Sequence, residues 1–302
     1  MSSSEREPSE ATGTARSLSR DRDGPMHRTC SARGTTLAYE IEAGDRASID
    51  GLPLVWSHGL LSSRAIDDRT HTVDLSVLRT RRPVVRYDAI GHGESACADD
   101  VARYGWNELA ADQLALADHL GLDRYVSGGE SMGAATAVLA AMQAPERIAG
   151  LVLVTPPCAW HTRPQQAAEY LLAAQLIERG DALAVAEFIA ATSPPGPFVD
   201  DPSWPARAAA AADALTSPTA TVCADILRGA AQSDLPPPAQ LTHRLTMPTL
   251  ILCWTDDHSH PVSTGEALAA AIPRAELVVS SRNTELAKWS QHVTDFIDTV
   301  AP

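Results

Sequence analysis

The stretch from Arg124 to Ala144, RYVSGGESMGAATAVLAAMQA, constrains the fold more than any other part of the 302-residue chain. Its centre, Gly129-Glu130-Ser131-Met132-Gly133, matches G-x-S-x-G. Tyr125 and Val126 ahead of it are strand formers, and Ala134 to Met142 behind it read as an apolar helix. A serine between a strand and a helix, with small residues on both sides, sits on a sharp turn that lifts its hydroxyl clear of the sheet. A Cβ at Gly129 or Gly133 would crowd that turn. The N–H of Met132 opens the helix and can donate to a developing oxyanion. The five-residue match alone recurs by chance, so its setting and the rest of the chain carry the reading.

That setting is an alternation of short buried strands and helices. Strands are expected at TTLAYEI from Thr35, at Pro53–Ser57, at Pro83–Asp88 and at Ile148–Thr155, with a helix over Trp106–Leu120 and a short helical segment near Val73–Arg79. Leu109, Leu116 and Leu120 form one stripe of the longer helix, with acids on its other face. Such alternation predicts an α/β fold with a mostly parallel sheet flanked by helices. Ligands of such sheets bind beyond the carboxyl ends of the strands. His58, Asp88, Ser131 and the segment after Thr155 all fall at those ends.

Residues 158–246 break the alternation. Helical, Ala-rich pieces (Gln165–Arg179, Asp181–Ala191, Trp204–Leu215, Ala220–Ala231) are separated by breaks such as SPPGPF and DLPPPA. An all-helical insertion that leaves and rejoins the sheet at its ligand-binding edge is expected to form a cap. The sheet resumes at Pro248–Trp254, followed by Thr255 to Pro261, a helix over Thr264–Ala271, a strand over Glu276–Ser280 and a last helix from Glu285 to Val300. The expected organisation is a disordered tail over 1–28, a core over 29–157 and 247–302, and the cap over 158–246.

Composition narrows the partners. The net charge is −14 and no basic run is long enough to follow a phosphate backbone, so nucleic acid is not expected. Cys30, Cys97, Cys158, Cys223 and Cys253 are scattered without C-x-x-C spacing, which predicts reduced thiols in a cytoplasm and no zinc site. No apolar run approaches the roughly 18 residues of a membrane span. The first residues lack the apolar core of a signal peptide, so neither export nor a membrane is expected.

Taken in order, SHGLL (Ser57 to Leu61), YDAIGHGES (Tyr87 to Ser95), GESMG, a late strand ending in D-x-x-x-P (Asp257 to Pro261) and a terminal amphipathic helix resemble the α/β-hydrolase fold family with a helical cap, from about residue 33 onward. The resemblance implies Ser131 as nucleophile, the N–H groups of Leu60 and Met132 as oxyanion hole, and Asp257 as the acid that orients a histidine, with Asp256 in reserve. His58, Glu130 and Trp254 are expected to face the substrate.

One part of the pattern is missing. The family places its general base after the last strand, where this chain reads Ser280-Ser281-Arg282-Asn283-Thr284-Glu285, without a histidine. Serine is inert at neutral pH unless an imidazole takes its proton. His292 lies inside the final helix, His58 beside the oxyanion turn and His92 in the GHG turn. His258 and His260 follow the acid strand. Similarity to acid loops of the D-x-x-H-P kind points to His260, held by Asp256 or Asp257, against the alternative of a loop histidine that only lines the pocket.

Three functions remain open on this reading. The first is hydrolysis of a small, largely apolar ester or related acyl compound, with Tyr170, Leu171, Leu176, Phe188, Ile189 and Trp204 available as cap lining. The second is lyase or cyclase chemistry on the same scaffold, and the third is ligand binding without turnover. No cofactor is expected, because there is no phosphate-binding glycine loop, and no metal, because the histidines lack ligand spacing. The expected partner is a small-molecule substrate, with a homodimer left open.

Overall fold

In the computed structural model the described residues are 28–43, 51–70, 72–191, 194–214 and 219–300. Eight strands form one sheet: β1 (Arg28–Ala32), β2 (Thr35–Glu42), β3 (Leu54–Ser57), β4 (Val84–Tyr87), β5 (Tyr125–Glu130), β6 (Ile148–Val154), β7 (Thr249–Trp254) and β8 (Ala275–Ser280). Their order is β1-β2-β4-β3-β5-β6-β7-β8. β2 pairs antiparallel with β1 and β4, and every pair from β4 across to β8 is parallel. All residues of β3, β4, β6 and β7 are buried. A parallel sheet covered on both faces has no solvent side, which is why these strands read as apolar runs rather than as alternation.

The helices are α1 (Arg64–Thr70), α2 (Ser76–Arg79), α3 (Trp106–His119), α4 (Met132–Gln143), α5 (Arg163–Glu178), α6 (Ala182–Ala191), α7 (Trp204–Ala214), α8 (Ala220–Ala231), α9 (Pro238–Arg244), α10 (Val262–Ala271), α11 (Asn283–Leu286) and α12 (Trp289–Val300). Side-chain alternation along the strands builds two cores. Val55, Tyr125, Leu151, Leu153 and Ile251 pack with Leu109 and Leu116 of α3 and with Val138 of α4. Leu54, Val126, Val152, Val154, Leu250 and Leu252 pack with Trp289, Val293 and Ile297 of α12. Each large aliphatic side chain so buried is worth about 1.5–3 kcal/mol relative to exposure, which fixes the register of every central strand. Helices α5 to α9 lie between β6 and β7 in the chain and hold a third cluster of their own: Ala174, Ile177, Val185, Cys223, Ala224 and Leu227.

Several elements differ from the sequence expectation. The tail was expected to run through Arg28, yet β1 begins there; the remainder of that tail lies outside the described residues. The loop after Gly59 contains α1, which has no apolar period; Asp88 draws it in by accepting the Arg64 N–H at 2.8 Å and bonding the Arg64 guanidinium at 3.1 Å. The prolines of DLPPPA were expected to break helices. Pro238 instead opens α9, where the missing N–H costs nothing. Acids of α3 were expected on its wet face, but Asp112 is buried and bonded to Arg33 and Arg103. The final helix is divided into α11 and α12, with Trp289 donating its indole N–H to Ser280 Oγ at 2.9 Å.

Candidate active site

Ser131 stands between β5 and α4 at φ 54° and ψ −114°. A non-glycine residue holds such a backbone only where its surroundings over-determine it. Here the Ser131 N–H donates to Val154 O of the neighbouring strand at 3.0 Å, and α4 starts at the next residue. The flanking glycines are steric necessities. A Cβ on Gly133 would fall 2.0 Å from Ser57 O, and one on Gly129 would fall 2.4 Å from the same atom. Both clashes are with backbone, which cannot swing aside. Gly133→Ala is therefore expected to lower the unfolding free energy by roughly 3 kcal/mol or more, read from the midpoint of urea denaturation.

The loop after β7 supplies the partners of Ser131. His260 Nε2 lies 2.8 Å from Ser131 Oγ, and His260 Nδ1 lies 2.8 Å from Asp257 Oδ2. Asp257 Oδ1 accepts the N–H groups of Ser259 at 2.9 Å and His260 at 3.2 Å, and its Oδ2 also accepts the Trp254 indole N–H at 2.7 Å. These bonds curl the loop so that residues three apart face each other. With a carboxylate on Nδ1 the imidazole proton sits there, and the Nε2 lone pair meets the Ser131 hydroxyl. Burial works to raise the Asp257 carboxyl, but the attraction and hydrogen bond of His260 outweigh it and hold the group far below the usual carboxylate range. Burial likewise works to lower His260; Asp257, by charge and by hydrogen bond, overcomes it and raises the imidazole above its ordinary 6.5, helped by the charge of Glu130.

The other expected site residues fall as follows. Asp256 bonds Thr255 and not the imidazole. His258 is exposed and lies 3.2 Å from Glu169 of α5. His58 is 2% exposed with both ring nitrogens committed, Nδ1–H to Gly59 O at 2.7 Å and Nε2 to the Ala89 N–H at 3.0 Å, so no ring nitrogen is left for a ligand. The Trp254 indole N–H is likewise spent on Asp257, and its ring stacks on Trp289 at 5.8 Å. Glu130 accepts the Thr72 hydroxyl at 3.1 Å, and burial pushes its carboxyl up. It lines a cavity of about 180 Å³ with Trp56, Asp67, Thr72 and Arg86, where burial and the charge of Glu130 push Asp67 up to about 7. Neither Leu60 N–H nor Met132 N–H has a hydrogen-bond acceptor among the described residues, and a Cβ on Gly59 would lie 3.7 Å from Ser131 Cβ. Of the expected cap lining, Tyr170 and Leu176 pack against the buried cap cluster, as do Leu60 and Leu61 of the loop after β3, whereas Leu171 is exposed and Trp204 packs on Phe198. The side chains of Phe188 and Ile189 lie outside the described residues.

The segment after β8 has a different task here. Glu285 accepts the N–H groups of Ser281 and Arg282 at 2.8 and 3.2 Å and so caps α11. Sequence reasoning missed the Thr72 and Asp67 neighbours of Glu130 and the hydrogen bonds of His92. They come together only through loop packing, and no spacing in the chain announces them.

A strand–turn–helix serine, a following helix N-terminus and an acid loop at one edge of a mostly parallel sheet define a class. The chain belongs to the alpha/beta hydrolase fold family, whose model matches residues 53–285. It is 38% identical over 131 residues to the dihydrolipoyllysine-residue acetyltransferase component of the acetoin cleaving system of Pseudomonas putida, across 43% of this chain and 33% of that protein. It is 34% identical over 123 residues to the sn-1-specific diacylglycerol lipase ABHD11 of Mus musculus, across 40% of this chain and 37% of that one. The chain thus spans about a third of the length of these two relatives. The 3-oxoadipate enol-lactonase 2 of Acinetobacter baylyi is 26% identical over 202 residues, 65% of this chain and 69% of the lactonase. Among solved structures, the enol-lactonase from Burkholderia xenovorans LB400 superimposes with a TM-score of 0.73 at 23% identity, across 90% of this chain and all of that one, which shows the shared fold.

Proposed function

We propose that the protein is a serine hydrolase that cleaves a small, largely apolar ester or related acyl compound, with Ser131 as nucleophile, His260 as general base and Asp257 as the acid that orients it. The observation that carries this reading is the unbroken chain of 2.8 Å contacts from Ser131 Oγ through His260 to Asp257. In the first half-reaction His260 Nε2 takes the Ser131 proton as Oγ bonds to the substrate carbonyl carbon. The carbonyl oxygen becomes an oxyanion and accepts the Leu60 and Met132 N–H groups. Collapse of this intermediate breaks the bond to the leaving oxygen, which receives the proton from His260. Water then repeats the sequence on the acyl-enzyme, with His260 first as base and then as acid. The relatives named as lipase and lactonase support acyl chemistry. The apolar cap cluster against which Leu60, Leu61, Tyr170 and Leu176 pack supports an apolar group on the substrate.

The lyase, cyclase and binding-protein readings drew on the absence of a late histidine. That histidine is absent after β8, and the contact of His260 with Ser131 supports hydrolysis in its place. The test is labelling with a fluorophosphonate that reacts only with an activated serine. Wild type is expected to label, and Ser131→Ala to show no labelling at all; a wild type that stays unlabelled would sink the reading.

A further inference from the structure

The loop after β3 turns tightly at Gly59–Ser62, where the Ser62 N–H donates to Gly59 O at 3.1 Å. Inside the turn Leu61 is left-handed, at φ 57°. That conformation costs an L-residue roughly 1–2 kcal/mol, so something must hold it. His92, from the loop after β4, does so: its Nε2 accepts the Leu61 N–H at 3.2 Å, and its Nδ1–H donates to Ile90 O at 2.9 Å. The carbonyl beside Nδ1 fixes the ring proton there and leaves the Nε2 lone pair for Leu61. A neutral ring fits this place and an imidazolium, with N–H at both positions, does not. Burial, then the neighbouring His58 ring at 5.0 Å, lowers His92 to about 3 and keeps it in that form.

The loop that carries His92 is tied to its neighbour by Asp88. Asp88 accepts the Glu94 N–H at 3.0 Å and the Arg64 N–H at 2.8 Å, which ties the loops after β3 and β4 together. Within the turn, Gly59 O accepts the His58 Nδ1–H at 2.7 Å as well as the Ser62 N–H. The peptide unit is planar and trans, so the Leu60 N–H at its other end points the opposite way.

We propose that His92 is a positioning residue for the oxyanion hole: by accepting the Leu61 N–H it holds the Gly59–Ser62 turn in the left-handed form that presents the Leu60 N–H to Ser131. This rests on Leu60 as an oxyanion donor in the reading above. Without the acceptor, Leu61 relaxes toward negative φ, the Gly59–Leu60 peptide rotates, and Met132 is left to stabilise the oxyanion alone.

The test compares a short-chain p-nitrophenyl ester with its thiono analogue, in which sulfur replaces the carbonyl oxygen. Sulfur accepts hydrogen bonds poorly, so the thiono compound draws little on the oxyanion donors. His92→Phe keeps a ring and removes the acceptor. It is expected to lower kcat on the oxygen ester by about 10- to 100-fold, to leave KM nearly unchanged, and to lower the thiono rate by less than about threefold. His92→Gln, whose Oε1 can take the Leu61 N–H, is expected to recover most of the loss. Equal loss on both substrates marks a merely structural residue and overturns the proposal, as does a His92→Phe variant as active as wild type. If His92→Phe melts early, His92→Leu replaces it in the same comparison. A wild type that neither turns over the ester nor labels with fluorophosphonate overturns the nucleophile reading, and this proposal falls with it. A labelled, active wild type with an unaltered His92→Phe variant overturns this proposal alone.

Discussion

His260→Ala is expected to lower kcat by about 10⁴- to 10⁶-fold, and adding Ser131→Ala to it to cost little more. In the proposed reaction the two side chains act as one device. Ser131 Oγ has its imidazole contact in His260, at 2.8 Å, and without it the hydroxyl keeps its proton at neutral pH. His58 and His92 cannot stand in, because each has both ring nitrogens bonded within the protein. The activity that survives should be the portion owed to the Leu60 and Met132 N–H groups, about a thousandfold over water. Steady-state kinetics on the two single variants and the double variant decides the matter. Losses that multiply would mean that Ser131 and His260 work independently, contrary to the geometry.

Asp257→Asn is expected to lower kcat by about 10⁴-fold and to move the acid limb of the rate to lower pH. Two causes combine. The carboxamide can turn its NH₂ toward Nδ1, which forces the imidazole proton onto Nε2, where it faces Ser131 as a donor and cannot accept. The charge that outweighs burial at His260 is also removed. In the wild type the His260 pKa is raised, so the base is protonated up to a higher pH than an ordinary imidazole and kcat/KM climbs through a limb lying above 6.5. In the variant burial prevails, the imidazole pKa drops, and the limb of the residual activity moves down. Profiles of kcat/KM against pH for both proteins test this. A limb that moves up, or stays in place, would show that Asp257 does not govern His260.

Much of this site was legible in the chain because glycine is so specific. At Gly129 and Gly133 any Cβ meets backbone, so the motif and its strand–helix setting located Ser131 and Met132 without tertiary knowledge. Leu60 followed only from the resemblance of SHGLL to the family pattern. The partner of Ser131 was harder. His258 and His260 are two residues apart in one polar loop, and only the Asp257 bonds to the Ser259 and His260 backbone N–H groups decide which ring turns inward. Asp256 against Asp257 is decided by the same curl. The roles expected of His58 and Trp254 looked outward to a ligand; their polar atoms are spent on Gly59 and Asp257 nearby in the chain and, for His58, on Ala89 of another loop. For the fold, buried strands were plain in composition, whereas α1 and α9 were not. One is held by Asp88 and the other begins at a proline, and neither shows a period.

The burial of β8 is partial along most of its length, as befits a strand at the rim of the sheet. A base carried on the connection beyond β8 would ride on that rim and move whenever it frays. In this chain Asp257 and His260 share one short loop beyond β7, one strand further in, and the loop's own backbone N–H groups help to set their alignment. The pairing of His260 with Asp257 therefore does not ride on β8 itself. The outer strand and the helices after it reach that loop indirectly: Trp289 of α12 stacks on Trp254, whose indole N–H bonds Asp257.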